Sequence, residues 1–209
     1  MTMKTSFPTA LLFILLVSVI PPVSASDYLI DTEGGHAYIQ FKISHLGYSW
    51  LVGRFNRFEG EFSYDKNDPA SATIEIRVDT ASIDTNHAER DKHLRDDDFL
   101  HVEKYPEARF VSTGFTELGN GKAKLLGDLT LHGVTRQIEI DVKHVGAGTD
   151  PWGGYRRGFE GNTSITLADF GITKFLGEAA RRMEFSLGIE GIRKKSDNRP
   201  RRPGGLRIR

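Results

Sequence analysis

The chain has no cysteine among its 209 residues. That excludes disulfides, thiolate metal ligands, a cysteine nucleophile and lipid attached through cysteine, so the fold must stand on its buried core. Long apolar runs are scarce too. Beyond Ala10–Ile20 nothing approaches the roughly 20 residues that a membrane-spanning helix needs. Hydrolase signatures are missing: there is no Gly-x-Ser-x-Gly elbow and no His-Glu-x-x-His pair.

What is present begins with an export signal. Lys4, the apolar Ala10–Ile20 and the small-residue site Val23-Ser24-Ala25 follow the order of a cleavable secretory segment. The expectation is cleavage after Ala25 and a periplasmic location. The formal net charge of zero hides an asymmetry. Arg193–Arg209 holds eight Lys/Arg and one Asp, so it carries +7, and Lys4 adds one more positive charge. The intervening domain, Ser26–Ile192, must therefore carry −8. The tail has no periodicity and reads as a disordered basic segment. Export argues against nucleic acid as its partner; an anionic membrane surface or simple solvation remain. Nothing sets the oligomeric state, a dimer included.

Within the domain, apolar and polar residues alternate with period two in eight stretches. These are His36–Ile43, Arg54–Tyr64, Thr73–Asp79, Arg109–Phe115, Ala123–His132, Arg136–Lys143, Phe159–Leu167 and Met183–Ile189. Asn67-Asp68-Pro69, Gly119-Asn120-Gly121 and Gly133 punctuate them as turns, His45–Trp50 as an interruption, and Gly146–Gly154 as a loop. Eight short-linked strands predict an all-β antiparallel meander, closed into a barrel so that no edge is exposed. A two-sheet sandwich is the competing architecture.

Thr80–Leu100 is the exception. Asn86, with Glu89 three residues on, predicts a capped short helix, with Asp91–Arg95 and Glu89–His93 pairs at i,i+4. So short and polar a helix needs a body to lie on, anchored through Leu94, Phe99 and Leu100. The predicted fold is thus an eight-stranded barrel with one helical excursion at about 84–100.

Alternation alone leaves open whether the inward stripes fill the barrel or line a tunnel. Gly60, Gly127 and Gly161 lie on inward faces and either leave room for a ligand or let the strands bend. His45, Tyr48, Trp50 and Arg54 cluster at the interruption, where aromatic rings suit a boundary between apolar and wet surroundings and Arg54 could meet a phosphate or a carbonyl oxygen. The alternative for them is a packed corner. His87, Glu89, Asp91, His93, Asp96–Asp98, His101 and Glu103 are ligand-type residues, but His87 and His93 are six apart and point different ways on a helix, so no metal and no cofactor is expected.

Several motifs are specific enough to show a likeness. They are His45–Trp50 with Gly53-Arg54-Phe55, Ser82–Thr85, Asn86–Leu94, Asp98-Phe99-Leu100, Tyr105-Pro106, Gly127–Val134, Gly158-Phe159 and Asp169–Ile172. In this order they resemble the YceI family of secreted, lipocalin-like proteins, over about Asp27–Ile192. Leu167 departs from it, standing where many members have a basic residue, and the arginine-rich tail lies beyond the family's usual end. The resemblance implies an extended calyx for a long isoprenoid chain, a polyprenyl phosphate or a quinone tail, and no catalysis. The residues expected to meet that ligand are Ile39, Phe41, Ile43, His45, Tyr48, Trp50, Arg54, Phe58, Phe62, Ile76, Leu94, Phe99, Phe110, Leu129, Ile140, Phe159, Phe185 and Leu187. Two other readings stay open: an enzyme acting on such a lipid through the His/Asp-rich 86–103 segment, and a filled barrel with a structural or stress role.

Overall fold

The computed structural model describes residues 25–174 and 177–195. The secretory segment and most of the basic tail lie outside them, as do the expectations attached to both. The strands are β1 (Ser26–Ile30), β2 (Tyr38–His45), β3 (Ser49–Phe55), β4 (Phe58–Tyr64), β5 (Thr73–Asp79), β6 (Ile83–Asp84), β7 (Glu107–Gly119), β8 (Lys122–Leu131), β9 (Val134–Thr149), β10 (Tyr155–Thr166) and β11 (Arg182–Arg193). One helix, α1 (Ala88–Arg95), lies between β6 and β7.

All pairings are antiparallel, and β1, β4, β5, β7, β8, β9, β10 and β11 form a closed ring because β1 pairs with both β4 and β11. Closure excludes the sandwich. The first half of β11, Met183–Gly188, pairs with β2 instead of β1, and the sheet continues through β3 to β6. β1 and β2 therefore pair with successive parts of β11.

Register fixes two ends. At one, called the mouth, lie the β2–β3 turn, α1 and its following turns, the β8–β9 turn and residues 167–174 and 177–181. At the other, the base, lie the β4–β5 and β7–β8 turns and the 150–154 turn.

Four strand expectations need correction. The stretch Arg54–Tyr64, expected as one strand, is broken at Asn56-Arg57 into the end of β3 and all of β4. β1 was not expected at all, since its five residues show too short an alternation. The interruption at His45–Trp50 is only the turn between β2 and β3: Leu46 and Gly47 take positive φ, and strand resumes at Ser49. The loop expected at Gly146–Gly154 is ladder as far as Thr149, which pairs with Tyr155. Glycines and alanine carry no alternation, so the backbone pairing there leaves no trace in the side chains.

The helix is where it was expected, but its stabilisation differs. Asn86 has φ 62°, and its N–H is taken by Asp84 Oδ1 at 2.9 Å, so the cap moves to His87, whose Nδ1 accepts from Arg90 N–H at 3.2 Å. The expected Asp91–Arg95 pair does not form. Asp91 is buried and accepts from the Thr85 N–H at 2.9 Å and from its hydroxyl, while Arg95 donates to the carbonyls of Ala81 and Ile83. An inward-turned carboxylate is better satisfied by a fixed backbone donor than by a mobile guanidinium in water.

Candidate functional site

The ring encloses a cavity of about 710 Å³, within the roughly 300–1,000 Å³ of small-molecule sites. It reaches from Leu46 and Lys174 at the mouth to Tyr64 and Phe115 at the base. Period-two alternation builds its wall: β11 contributes Met183, Phe185, Leu187 and Ile189, and β9 contributes Ile138, Ile140 and Val142. Below it the base is filled by rings. Tyr28 stacks on Phe62 at 4.7 Å, Phe159 meets Phe62 edge-on at 5.8 Å, and Phe115 meets Tyr64 edge-on at 6.3 Å.

Of the residues expected to meet a ligand, Ile39, Phe41, Ile43, His45, Phe62, Ile76, Leu94, Phe99, Phe110, Leu129, Ile140, Phe159, Phe185 and Leu187 line this cavity. Four do not. Tyr48 is 87% exposed and Trp50 55% exposed, with Lys42 Nζ 4.5 Å from the Trp50 ring centre. Arg54 lies outside, 3.8 Å from Asp84. β3 turns Leu51, Gly53 and Phe55 inward, so Trp50, Val52 and Arg54 on the other parity face solvent. Phe58 packs into the surrounding core instead of reaching the wall.

The glycines also need revising. A Cβ on Gly127 would lie 2.2 Å from Phe110 Cζ, and one on Gly60 2.9 Å from Ile30 Cδ1 and 2.4 Å from a backbone oxygen. Their space is already taken by neighbours and is not left for a ligand. Gly161 does line the cavity.

Sequence reasoning omitted Leu51, Phe55, Arg90, Leu167 and Lys174 from the wall, all of which line it. The alternation Leu51-Gly53-Phe55 could have given the first two. Arg90 shares a face with His93 and Leu94 at i, i+3, i+4 spacing. Leu167 simply extends the apolar wall at the position where the resemblance expects a basic residue. Lys174 lies in a segment with no period and had no signal. The Gly127–Val134 motif finds a structural use: His132 Nδ1–H donates to the Phe170 carbonyl at 3.2 Å and its ring packs edge-on to Tyr105 at 4.5 Å. That fastens the β8–β9 turn to the Asp169–Ile172 segment, where Phe170 is almost fully buried.

Two charged clusters lie near the base. On the outer face near the base, Arg156 Nη1 lies 2.6 Å from both Asp31 and Glu190, and its Nε 2.7 Å from Asp150. The guanidinium, with His36 and the Gly34 N–H, holds the buried Asp31 carboxyl down at about 2. Asp31, His36 and Glu190 also have metal-ligand spacing, but Arg156 already sits between the two carboxylates as their cation. Inside the base, Arg157 lies 4.4 Å over the Tyr64 ring and 3.3 Å from His144 Nε2. Burial, and then that guanidinium, push His144 below the ordinary histidine range. The ligand-type residues of the 86–103 segment do not converge: His87 caps, Asp91 faces inward, and His93 pairs with Asp98 at 3.3 Å.

Known proteins resemble this chain in sequence or in fold. A UPF0312 protein of Ectopseudomonas mendocina is 55% identical over 169 residues, covering 81% of this chain and 88% of its own. Burkholderia cenocepacia BcnA superposes with a TM-score of 0.68 at 20% identity, over 77% of this chain and 98% of its own. A polyisoprenoid binding domain from Saccharophagus degradans, described as implicated in plant cell wall breakdown, superposes at 0.59 with 16% identity, over 80% and 98%. A family model described as the YceI-like domain matches residues 28–190. The chain belongs to the YceI-like domain family.

Proposed function

We propose that this protein is a periplasmic binding protein that sequesters a long-chain isoprenoid lipid inside the barrel, its tail in the apolar cavity and its head at the mouth. The observation that carries the reading is the cavity itself: a continuous apolar bore along the barrel, in a protein whose fold matches a domain named for polyisoprenoid binding. Burying each methylene contributes about 0.8 kcal/mol, so even a short isoprenoid chain exceeds the cost of immobilising it. The head must stay wet or meet donors, because an unpaired buried charge is prohibitive. No residue constellation that would turn such a lipid over is assembled among the described residues, and binding without chemistry is the simpler use of this wall.

Native mass spectrometry of protein released from the periplasm, followed by organic extraction, tests the reading. The expected result is a non-covalent mass that extracts as a polyprenyl phosphate or a quinone, absent from a folded Phe41→Asp variant. Wild-type protein that carries no lipid and takes up none from a panel of both would leave the filled-barrel role in its place.

A further inference from the structure

The cavity wall is apolar along the bore, but its polar side chains are not evenly spread. At the mouth it includes His45, Arg90, His93 and Lys174. Two other charged residues border the wall, Arg109 and Glu160, and both are held on the outer face by Glu75 at 3.0 Å and Lys143 at 3.4 Å. The cavity wall at the mouth therefore presents cation-capable groups, and the carboxylate that bonds two of them, Asp98, lies outside that wall.

Arg90 is held for this position. Its Nε donates to the Thr85 hydroxyl and its Nη2 to the Thr85 carbonyl, both at 2.7 Å, and Thr85 is itself tied to buried Asp91. Nη1 has no partner among the described residues, and no carboxylate pairs with the guanidinium. A guanidinium fixed by two of its five N–H donors offers the others at little entropic cost. His93, one turn on, faces the same way.

Across the mouth, the carboxylate of Asp98 receives Lys174 Nζ at 2.6 Å and His93 Nε2 at 3.3 Å. Asp98 is half exposed and is not part of the wall. Lys174 and His93 thus already donate to one oxyanion, supplied by a half-exposed side chain.

We infer that the mouth selects an anionic head: the ligand is an isoprenoid phosphate monoester, whose phosphate takes Arg90, Lys174 and His93, displacing Asp98. This rests on the reading that the bore takes an isoprenoid tail. A phosphate carries about −1.5 to −2 charges and three strong acceptor oxygens, which suits a fixed guanidinium and a mobile ammonium in a site that remains wet. A neutral quinone or alcohol leaves Lys174 and His93 on Asp98 and gains nothing there.

Calorimetric titration with farnesyl phosphate and farnesol separates head from tail, since both share one chain. The wild type should bind the phosphate about tenfold more tightly, as expected for charge-assisted contacts. Lys174→Gln and Arg90→Gln should each reduce that ratio several-fold, and Asp98→Asn should raise it. Lys174 donates only to an exposed side chain, so its variant keeps the test intact if Arg90→Gln fails to fold. A wild-type ratio within twofold, or one that survives Lys174→Gln, overturns the head-group inference and leaves the tail reading standing. If neither compound binds the folded wild type, both fall together.

Discussion

At the base of the barrel Arg156 touches three carboxylates; at the mouth Arg90 touches none among the described residues. Both guanidiniums are anchored, but to opposite ends. Arg156 joins Asp31, the 150–154 turn and β11, segments up to 125 residues apart in sequence. It acts as a rivet, and its charge is consumed in the structure. Arg90 is braced by a neutral residue, Thr85, so its charge remains available. The contrast separates arginine used to hold the fold from arginine held by the fold.

Breaking the rivet should have the largest effect. Arg156→Met leaves the buried Asp31 carboxylate without its cation, and removing one partner of such a group costs about 3 kcal/mol. For a domain of this size that corresponds to a fall of roughly 10 °C in melting temperature. A denaturation midpoint within error of wild type would show the cluster to be ornamental.

Acid should act on the same end, with a smaller effect. Asp31 titrates at about 2 in the folded chain against an ordinary 3.8, because Arg156 and His36 bond its ionised form against the opposing effect of burial. A carboxyl whose pKa is lower folded than unfolded binds fewer protons in the native state. Its contribution is therefore complete above pH 3.8 and declines as the pH falls through about 2. Urea midpoints measured down this window should drop in wild type and drop less steeply in Arg156→Met. Parallel curves would assign the acid sensitivity to other carboxylates.

The same contrast marks what a sequence can disclose. Thr73–Asp79 was legible to the residue because Ile74, Ile76 and Val78 alternate without a break between turns. The bore was legible wherever side chains kept the parity, as in Met183–Ile189 and Ile138–Val142. Trp50 and Arg54 were misplaced because an apparent motif was read as a cluster, when the parity of Leu51 and Phe55 already sent them outward. Neither Arg156 nor Lys174 could be recognised from neighbours, since each is defined by partners far along the chain: Asp31 at 125 residues and Asp98 at 76. Local pattern reports which face a residue takes; it is silent on which distant charge will be waiting there.

The smallest expected effect isolates burial as the cause. Arg181 and Glu178, just before β11 at the mouth end, form an ion pair at 2.6 Å, the same separation as Arg156 and Asp31. Their side chains are 64% and 72% exposed, against 21% and 8% for the rivet. Water screens the exposed pair in either state, and fixing two long side chains offsets most of what attraction remains, so such pairs contribute about 0.5 kcal/mol or less. Arg181→Ala should accordingly move the melting temperature by no more than about 2 °C, and the shift should vanish in about 1 M salt, where charges a few ångströms apart are screened. If Arg181→Ala instead destabilised the protein as much as Arg156→Met, contact distance and not burial would decide what an arginine contributes here, and the distinction between rivet and mouth would lose its physical basis.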